Sequence, residues 1–373
     1  MFMSEIPADQ CNDAIVAAHG GAKPSTLSRY KSVNEISTEL EWDKMQRLTC
    51  GVAIITFNGL RYIAQQLDSI LAQTRPVEHI VISDDGSTDG TVEFLEAWVK
   101  HCPIRVTLIR NEKQQGLIKN FEKAVSAVNA DVVFSCDQDD IWIRQKVALL
   151  AEAFENRPEV TLVHTDAILV DAQGRDMKTT LLGELEVTEA EKRTIRTGDA
   201  FSVFCRRNLV TGATAAFRRT LLQLALPLPA SLYHDAWLAS MAAATGTVCL
   251  MDISTIHYRQ HGSNVVGVKK LDRLTKLRHF YWTLRNKERY SATVDSNVSV
   301  RAAVYSRLSS SSAVAISSLA LAKQALEFAE FRRALPENYV LRTGSVLRNA
   351  IEGQYAKFSY EPWLDAARDI LSR

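Results

Sequence analysis

The sequence predicts an α/β fold, a mostly parallel sheet flanked by helices, with a helical region at its C-terminal end. Three observations carry that expectation. Between residues 48 and 164, short apolar runs alternate with stretches of helical period, the signature of βαβ units. Polar clusters rich in Asp, Asn, Ser and Thr follow the apolar runs directly, at the strand ends where open α/β sheets bind ligands. From Val268 onward only helical patterning remains.

Val52–Ile55 is a short apolar run ending in Thr56-Phe57-Asn58-Gly59, which reads as a buried parallel strand and its turn. Leu60–Gln73 has apolar residues at 60, 63, 67, 70 and 71, a helical spacing. His79–Ile82 is the second strand; it runs into Ser83-Asp84-Asp85-Gly86-Ser87-Thr88-Asp89-Gly90-Thr91, and a helix over Val92–Lys100 follows. Arg105–Arg110 is a third strand, Leu117–Val128 a helix and Val132–Ser135 a fourth strand. That strand leads into Cys136-Asp137-Gln138-Asp139-Asp140-Ile141-Trp142, then a helix over Gln145–Phe154 and a fifth strand over Val160–His164. Asp171–Gly174 reads as a turn in a β excursion, and Leu181–Asp199 as a loop with a short helix. Val210–Phe217 reads as a strand. Pro227 and Pro229 break the chain ahead of a helix that opens at Tyr233–Trp237 and runs through Ala244. Val248–Met251 and Thr255–Tyr258 read as two further strands, and Ala313–Phe331 as an Ala/Leu-rich helix in need of a packing partner.

The chain has 373 residues, 44 Lys and Arg against 43 Asp and Glu, a formal net charge of +1 and 46% hydrophobic residues. That near-neutral balance excludes nucleic-acid binding driven by overall positive charge, and the composition excludes disordered, collagenous and disulfide-scaffold classes. The six cysteines, at 11, 50, 102, 136, 205 and 249, show no CxxC spacing and no accompanying His cluster. A zinc ribbon is therefore not expected, and scattered thiols suit a reduced, cytosolic compartment. Neither a secretory signal nor an uncharged apolar run of membrane-spanning length is visible. Three regions are expected: a weakly patterned extension at 1–47, the α/β domain at 48–268 and a helical region at 269–373.

The chemistry concentrates in two clusters. Asp137-Gln138-Asp139-Asp140 puts three carboxylates within four residues directly after a buried strand, where they repel one another. A hard divalent cation, Mg²⁺ or Mn²⁺, completed by water and phosphate oxygens, resolves that conflict. Acids favouring a helix start would account for one or two of the three. In Asp84-Asp85-Gly86-Ser87-Thr88-Asp89, a turn with Ser87 or Asp89 capping the next helix explains Gly86 and the cap. The Asp84-Asp85 pair is surplus to that turn and suits hydrogen bonds from a nucleobase or ribose. GxGxxG and GxxxxGK[ST] are both absent, so dinucleotide oxidoreductases and P-loop enzymes lack their phosphate cradles here.

Val52–Asn58 with its following helix, the Asp84–Thr91 turn and Asp137–Trp142 together resemble the inverting family 2 glycosyltransferases of GT-A fold. Asn208–Thr214, His234-Asp235-Ala236-Trp237 and Tyr258-Arg259-Gln260-His261-Gly262-Ser263-Asn264 look like the rhamnosyltransferase-type members that assemble bacterial surface polysaccharide. The resemblance runs from about Thr49 to Gly267. It implies metal-dependent, inverting transfer of a sugar, L-rhamnose from dTDP-rhamnose being the model case, from a nucleoside-diphosphate donor to a growing polysaccharide or lipid-linked glycan. It implies that Asp137 and Asp139 serve the donor diphosphate, with Asp139, Asp140 and His261 toward Mg²⁺ or Mn²⁺. By the same resemblance Thr56, Asn58 and Asp85, with Asp84 beside them, form the nucleoside-binding set, and donor choice rests around Asp85 and Gly212. Asp235 is implied as the catalytic base; His234 stands where many relatives carry Glu, which changes the neighbour of the base and not the base.

Physical argument runs in parallel. A departing diphosphate develops charge that a divalent metal stabilises, and a single carboxylate opposite it suffices as base for inversion. On the residues alone, Asp235 equally suits the N-cap of the helix after it, and His261 a hydrogen-bonded turn. Trp142 and Trp237 could stack on a sugar face or simply pack. Arg206-Arg207 and Tyr258-Arg259 could meet phosphates or form surface ion pairs. Basic and apolar residues interleave from Lys269 to Arg289, which suits either an anionic membrane surface at the inner face of the plasma membrane or a helix packed on the domain. Two rival functions remain at this stage. A sugar-phosphate nucleotidyltransferase would show a Gly-rich, basic phosphate loop where Thr56-Phe57-Asn58-Gly59 stands, and a non-catalytic glycan-binding or scaffold protein would have no use for the acidic cluster.

Overall fold

Apolar alternation builds the centre of the molecule. Along β1 (Cys50–Thr56), Cys50, Val52 and Ile54 enter one apolar cluster while Ala53 and Ile55 enter another on the opposite face. A central parallel strand must be covered on both sides, and helices do so here. The computed structural model describes residues 47–262, 275, 278, 280–282 and 285–372. Among them the strands are β1, β2 (His79–Asp84), β3 (Arg105–Arg110), β4 (Val132–Cys136), β5 (Ile141–Trp142), β6 (Val160–Val170), β7 (Asp176–Thr180), β8 (Ala215–Arg218) and β9 (Thr247–Arg259). They form one sheet of order β3-β2-β1-β4-β8-β6-β9-β5, with β7 paired to β6.

The first four strands are parallel, and their register aligns Thr56 with Asp84, Asp84 with Arg110, and Ile54 with Cys136. The segments after β1, β2 and β4 therefore leave the sheet along one edge. Helices α1 (Ile63–Leu71), α2 (Thr91–Val99) and α3 (Leu117–Ala127) make the crossovers, and α4 (Lys146–Asn156) follows β5. α1 buries Ile63, Leu67 and Ile70 and α4 buries Val147, Leu150 and Phe154 in the cluster containing Val52. α3 buries Phe121, Ala124 and Val125 in the cluster containing Ala53.

Beyond β4 the sheet is mixed. β8 runs antiparallel to both β4 and β6, β9 lies parallel to β6, and the two-residue β5 runs antiparallel to β9. The two strands expected at Val248–Met251 and Thr255–Tyr258 are one, β9; Met251 pairs with Thr165 but Ser254 with Asp166, so the polar Asp252–Ser254 interval is absorbed as a bulge. The strand expected at Val210–Phe217 begins only at Ala215, because Gly212–Thr214 forms a 3₁₀ turn closed by Thr214 onto the Thr211 carbonyl. The fifth strand runs to Val170, six residues beyond the expected His164.

The expected loop at 181–199 contains two helices, α5 (Leu181–Glu184) and α6 (Glu189–Arg196), the second opened by a reciprocal capping box of Thr188 and Glu191. Glu191 also receives Arg207 at 2.6 Å. Burial works against its ionisation, yet the hydrogen bonds from Arg207 and Thr188 outweigh it and hold Glu191 down at about 2 against an ordinary 4.5. A depressed carboxyl stabilises the fold fully above pH 4.5 and loses that contribution as the pH falls toward 2. Melting temperatures of Glu191→Gln measured across that interval should accordingly fall less steeply than those of the unsubstituted protein.

After α7 (Ala200–Phe204) and α8 (Leu222–Ala225), helix α9 (His234–Thr245) packs Trp237, Leu238 and Met241 onto the sheet. The helical region consists of α10 (Lys287–Ser309), α11 (Ile316–Arg333), α12 (Tyr339–Ile351), α13 (Gln354–Phe358) and α14 (Pro362–Leu371). Leu308 of α10 and Ala322 of α11 belong to the same apolar cluster as α9, so this region shares the core of the α/β unit. A further cluster, around Phe328, Val346, Tyr355 and Phe358, joins α11 to α14. Residues 1–46 and most of the basic stretch at 269–289 lie outside the described residues.

Candidate active site

The strand-end edge is organised by side chain to backbone hydrogen bonds. Asn58 takes a positive φ of 49°, a conformation Asn tolerates, and its Oδ1 accepts from the Thr88 amide at 2.9 Å. Gln138 clasps the same turn, receiving the Phe57 amide at 2.9 Å and donating to the Phe57 carbonyl at 3.1 Å. Gly59 permits that approach, since a Cβ there would stand 2.2 Å from Gln138 Oε1. Asp84 accepts from the Gly86 and Ser87 amides, the Ser87 hydroxyl and the Thr56 hydroxyl, so both its oxygens and Thr56 Oγ1 serve the turn. Asp85 accepts from Asn111 Nδ2 at 3.0 Å and from the Gln115 and Gly116 amides at 2.7 and 2.9 Å, which pins the loop that opens α3. Asn111 and Gln115 carried no signal in the sequence.

The acidic segment follows β4, and β5 holds its far end against β9. The Arg259 amide donates to Asp140 Oδ1 at 3.0 Å, and its guanidinium donates to the Asp139 carbonyl at 2.8 Å and lies over the Tyr62 ring. His261 Nε2 lies 2.7 Å from Asp139 Oδ2, and its ring stacks on Tyr62. Asp140 is 1% exposed, and its Oδ2 is buried without a hydrogen-bond partner. Burial, then repulsion from Asp139 and Asp137, pushes the Asp140 carboxyl well above the carboxylate range. Asp137 is pushed up to about 7 by burial and by the charges of Asp139 and Asp235. An orphaned buried carboxylate oxygen among three crowded acids is a donor set that fits a hard divalent cation. Among the described residues no three His, Cys, Asp or Glu side chains form a complete metal cage, so water and phosphate oxygens would supply the remaining donors.

Lys146 lies beneath this cluster, a cation the sequence gave no reason to single out. It is wholly buried, its Nζ donates to the Ala213 carbonyl at 2.6 Å and sits 4.0 Å from the centre of the Trp142 ring. Burial lowers it to about 8, against the opposing charges of Cys136, Asp140 and Asp137. Through Ala213 it ties the acidic segment to the Gly212–Thr214 turn, which in turn abuts His234.

Asp235 occupies the first turn of α9, half-buried, and its charge reaches Asp137. His234 is buried against the Phe121 ring, centroids 3.9 Å apart. A Cβ at Gly212 would meet His234 Nε2 at 2.8 Å. Gly212→Ala is therefore expected to displace His234 and the start of α9, destabilising the fold by about 1–3 kcal/mol and lowering turnover; thermal melting and an activity assay of the variant check both.

Of the two alternatives for Trp142 and Trp237, packing is the one observed. Trp142, 3% exposed, packs against Phe134, and Trp237, 1% exposed, donates its indole N–H to the Ala225 carbonyl. The exposed aromatics beside the site residues are Phe57 and Tyr233. Arg206 and Arg207 face Glu191, the ion-pair alternative.

Residues 51–224 match the Glycosyl transferase family 2 profile. The similarity to family 2 glycosyltransferases thus spans just under half of the chain. The matched stretch contains every candidate residue up to Gly212, while Asp235 and His261 lie beyond it. An uncharacterized glycosyltransferase of Nostoc sp. is 27% identical over 57% of this chain and 65% of its own length. The Salmonella typhimurium abequosyltransferase RfbV is 28% identical over 40% of this chain and 42% of its own. The dTDP-rhamnosyl transferase RfbG of Shigella flexneri is 36% identical over 25% and 33%. The matches thus cover between a third and just under two thirds of these relatives. The chain shares the fold of Staphylococcus aureus TarS 1–349 in complex with UDP-GlcNAc, with a TM-score of 0.52, 16% identity, and coverage of 86% of this chain and 88% of that one. The likeness supports the expected GT-A-type α/β fold. Among the described residues, no helix is long and apolar enough to cross a membrane.

Proposed function

We propose that this protein is a metal-dependent, inverting glycosyltransferase that moves a sugar from a nucleoside-diphosphate donor to a hydroxyl of a surface polysaccharide or lipid-linked glycan. The observation that carries the reading is the buried, partnerless Asp140 Oδ2 among the crowded acids after β4, with the charge of Asp235, at the start of α9, bearing on Asp137. The donor diphosphate belongs on the Asp137–Asp140 side, the acceptor hydroxyl on the Asp235 side. Asp235 takes the hydroxyl proton as the acceptor oxygen bonds to the anomeric carbon, and the bond from that carbon to the diphosphate oxygen breaks on the opposite face, inverting the centre. Asp139 and Asp140 would hold Mg²⁺ or Mn²⁺, with His261 orienting Asp139 through their 2.7 Å contact. When bound, such an ion supplies positive charge to the departing diphosphate. Thr56, Asn58, Asp84 and Asp85 shape the nucleoside edge through the turns they hold. A dTDP-rhamnose donor is supported by the partial match to the Shigella enzyme, and acceptors of the lipid-linked kind would bring the protein to the membrane surface.

Thermal shift against UDP, dTDP, GDP and CMP, with and without Mn²⁺, tests the reading. A ligand at a hundredfold excess over its dissociation constant stabilises by about 2.7 kcal/mol. Stabilisation by one nucleoside diphosphate that needs Mn²⁺ and vanishes in Asp139→Ala is the expected result. No response to any diphosphate with any metal would sink the proposal.

A further inference from the structure

A cavity of about 200 Å³ lies between the α/β unit and the helical region, bounded by α7, α9, α10 and α11. Three arginines line it, Arg206, Arg207 and Arg301, and among the described residues neither Asp nor Glu does. Glu191 serves both Arg207, at 2.6 Å, and Arg206, at 3.8 Å, so one carboxylate faces two guanidiniums, and the buried Nε of Arg206 has no partner. Arg301 donates to the carbonyls of Phe358 at 2.8 Å and Ala325 at 3.4 Å, and among the described residues no carboxylate comes within ion-pair distance of it. Burial pushes Arg301 down to about 10, and the like charge of Arg332 adds to that. A buried cation without a counter-charge is costly, and guanidinium matches phosphate oxygens in fork geometry. Most of the remaining wall is apolar, with Phe201, Phe204, Val300 and Val304, and Asn208 and Asn297 also line it. Ala236 and Ser240 of α9 complete it, so an occupant lies one residue along from Asp235.

We propose that this cavity binds a phosphate or diphosphate carried on an apolar chain, and that it seats the anionic end of the acceptor beside Asp235. The inference rests on the reading of a lipid-linked acceptor and names the site that would receive it. An anion flanked by hydrocarbon is the ligand that matches both the excess of arginine over carboxylate and the aromatic and aliphatic wall.

The test is equilibrium binding of geranyl diphosphate, inorganic pyrophosphate and geraniol to the full chain, with a chelator present so that no metal recruits diphosphate to the acidic cluster. Geranyl diphosphate should bind more tightly than pyrophosphate, and geraniol should not bind measurably. Arg206→Ala should weaken geranyl diphosphate at least tenfold, and Val300→Phe, which fills the apolar wall, should do the same. Both variants should keep the Mn²⁺-dependent response to a nucleoside diphosphate, which shows that they fold. Arg301→Lys, which keeps the charge but loses the fork, should weaken binding less than Arg206→Ala. Geraniol binding as well as its diphosphate, or geranyl diphosphate binding unchanged in both Arg206→Ala and Val300→Phe, would overturn the proposal. Loss of the nucleotide response with geranyl diphosphate binding intact would instead overturn the donor-site reading and leave the cavity standing.

Discussion

Replacing Asp235 by Asn is expected to lower the rate of sugar transfer by about 10²–10⁴-fold while Mn²⁺-dependent nucleotide binding survives. The size follows from the role: a positioned base contributes that much, and an amide of the same shape cannot take the proton. The rival role for Asp235, as helix cap, predicts a different outcome. In the structure the N-cap position of α9 belongs to Tyr233, and Asp235 lies within the first turn with Oδ1 receiving the Ala236 amide at 2.6 Å. An Asn side chain retains an oxygen for that bond. What is lost in stability is the favourable interaction of a negative charge with the helix N-terminus, about 0.3–1 kcal/mol. A steady-state assay beside a thermal melt separates the two roles, and a variant that melts far lower yet still turns over would remove Asp235 from catalysis.

The second large effect is expected far from the site. Asp369 of α14 is fully buried and receives the hydroxyls of Tyr290 and Tyr355 together with Arg332 Nε and Nη2 at 2.7 and 2.9 Å. This one carboxylate joins α10, α11, α13 and α14. Asp369→Ala removes the closer of two carboxylates beside the nearly buried Arg332, leaving Asp365 at 3.9 Å, together with the group that accepts from both phenols, a loss of about 3–5 kcal/mol. Tyr355→Phe removes a single hydrogen bond and should cost about 1–2 kcal/mol. Because α10 and α11 enter the same apolar cluster as α9, denaturant unfolding should remain one transition, shifted as a whole. A drop under about 1 kcal/mol for Asp369→Ala would show that the network does not hold the helices together.

Much of the α/β half was legible because its elements announce themselves locally. Arg105–Arg110 is a strand at the expected bounds, and α3 ends within one residue of expectation, since apolar runs and helical spacing need only neighbouring residues. The failures lie where distant contacts decide. Gly212–Thr214 reads as β by composition and becomes a 3₁₀ turn because His234 and Lys146 pack against it. The 13-residue β9 hides as two strands because its bulge is set by β6. A local signal was also under-read: Thr188-Glu189-Ala190-Glu191 has the spacing of a capping box, yet its charged surroundings suggested a loop with one short helix whose start was not placed. At the site, residue types pointed to the acidic cluster and to Asp235. Lys146 stayed silent because a lysine in an amphipathic helix gives no sign of facing inward, and Asn111 because an amide after a strand is common.

The dependence of the acidic cluster on β9 bears on how the molecule comes into being. Arg259 and His261 reach back 119 and 122 positions in sequence to hold Asp140 and Asp139. The four parallel strands, their crossover helices and α4 are in place by residue 156, with part of the apolar cluster on each face. A nascent chain can therefore bury much of its core while the acids remain unbraced, and closing so long a loop is the slow, entropically demanding part of assembly. The bracing of Asp139 and Asp140 then arrives with β9, so an unfinished chain on the ribosome holds the framework before its acidic cluster is set.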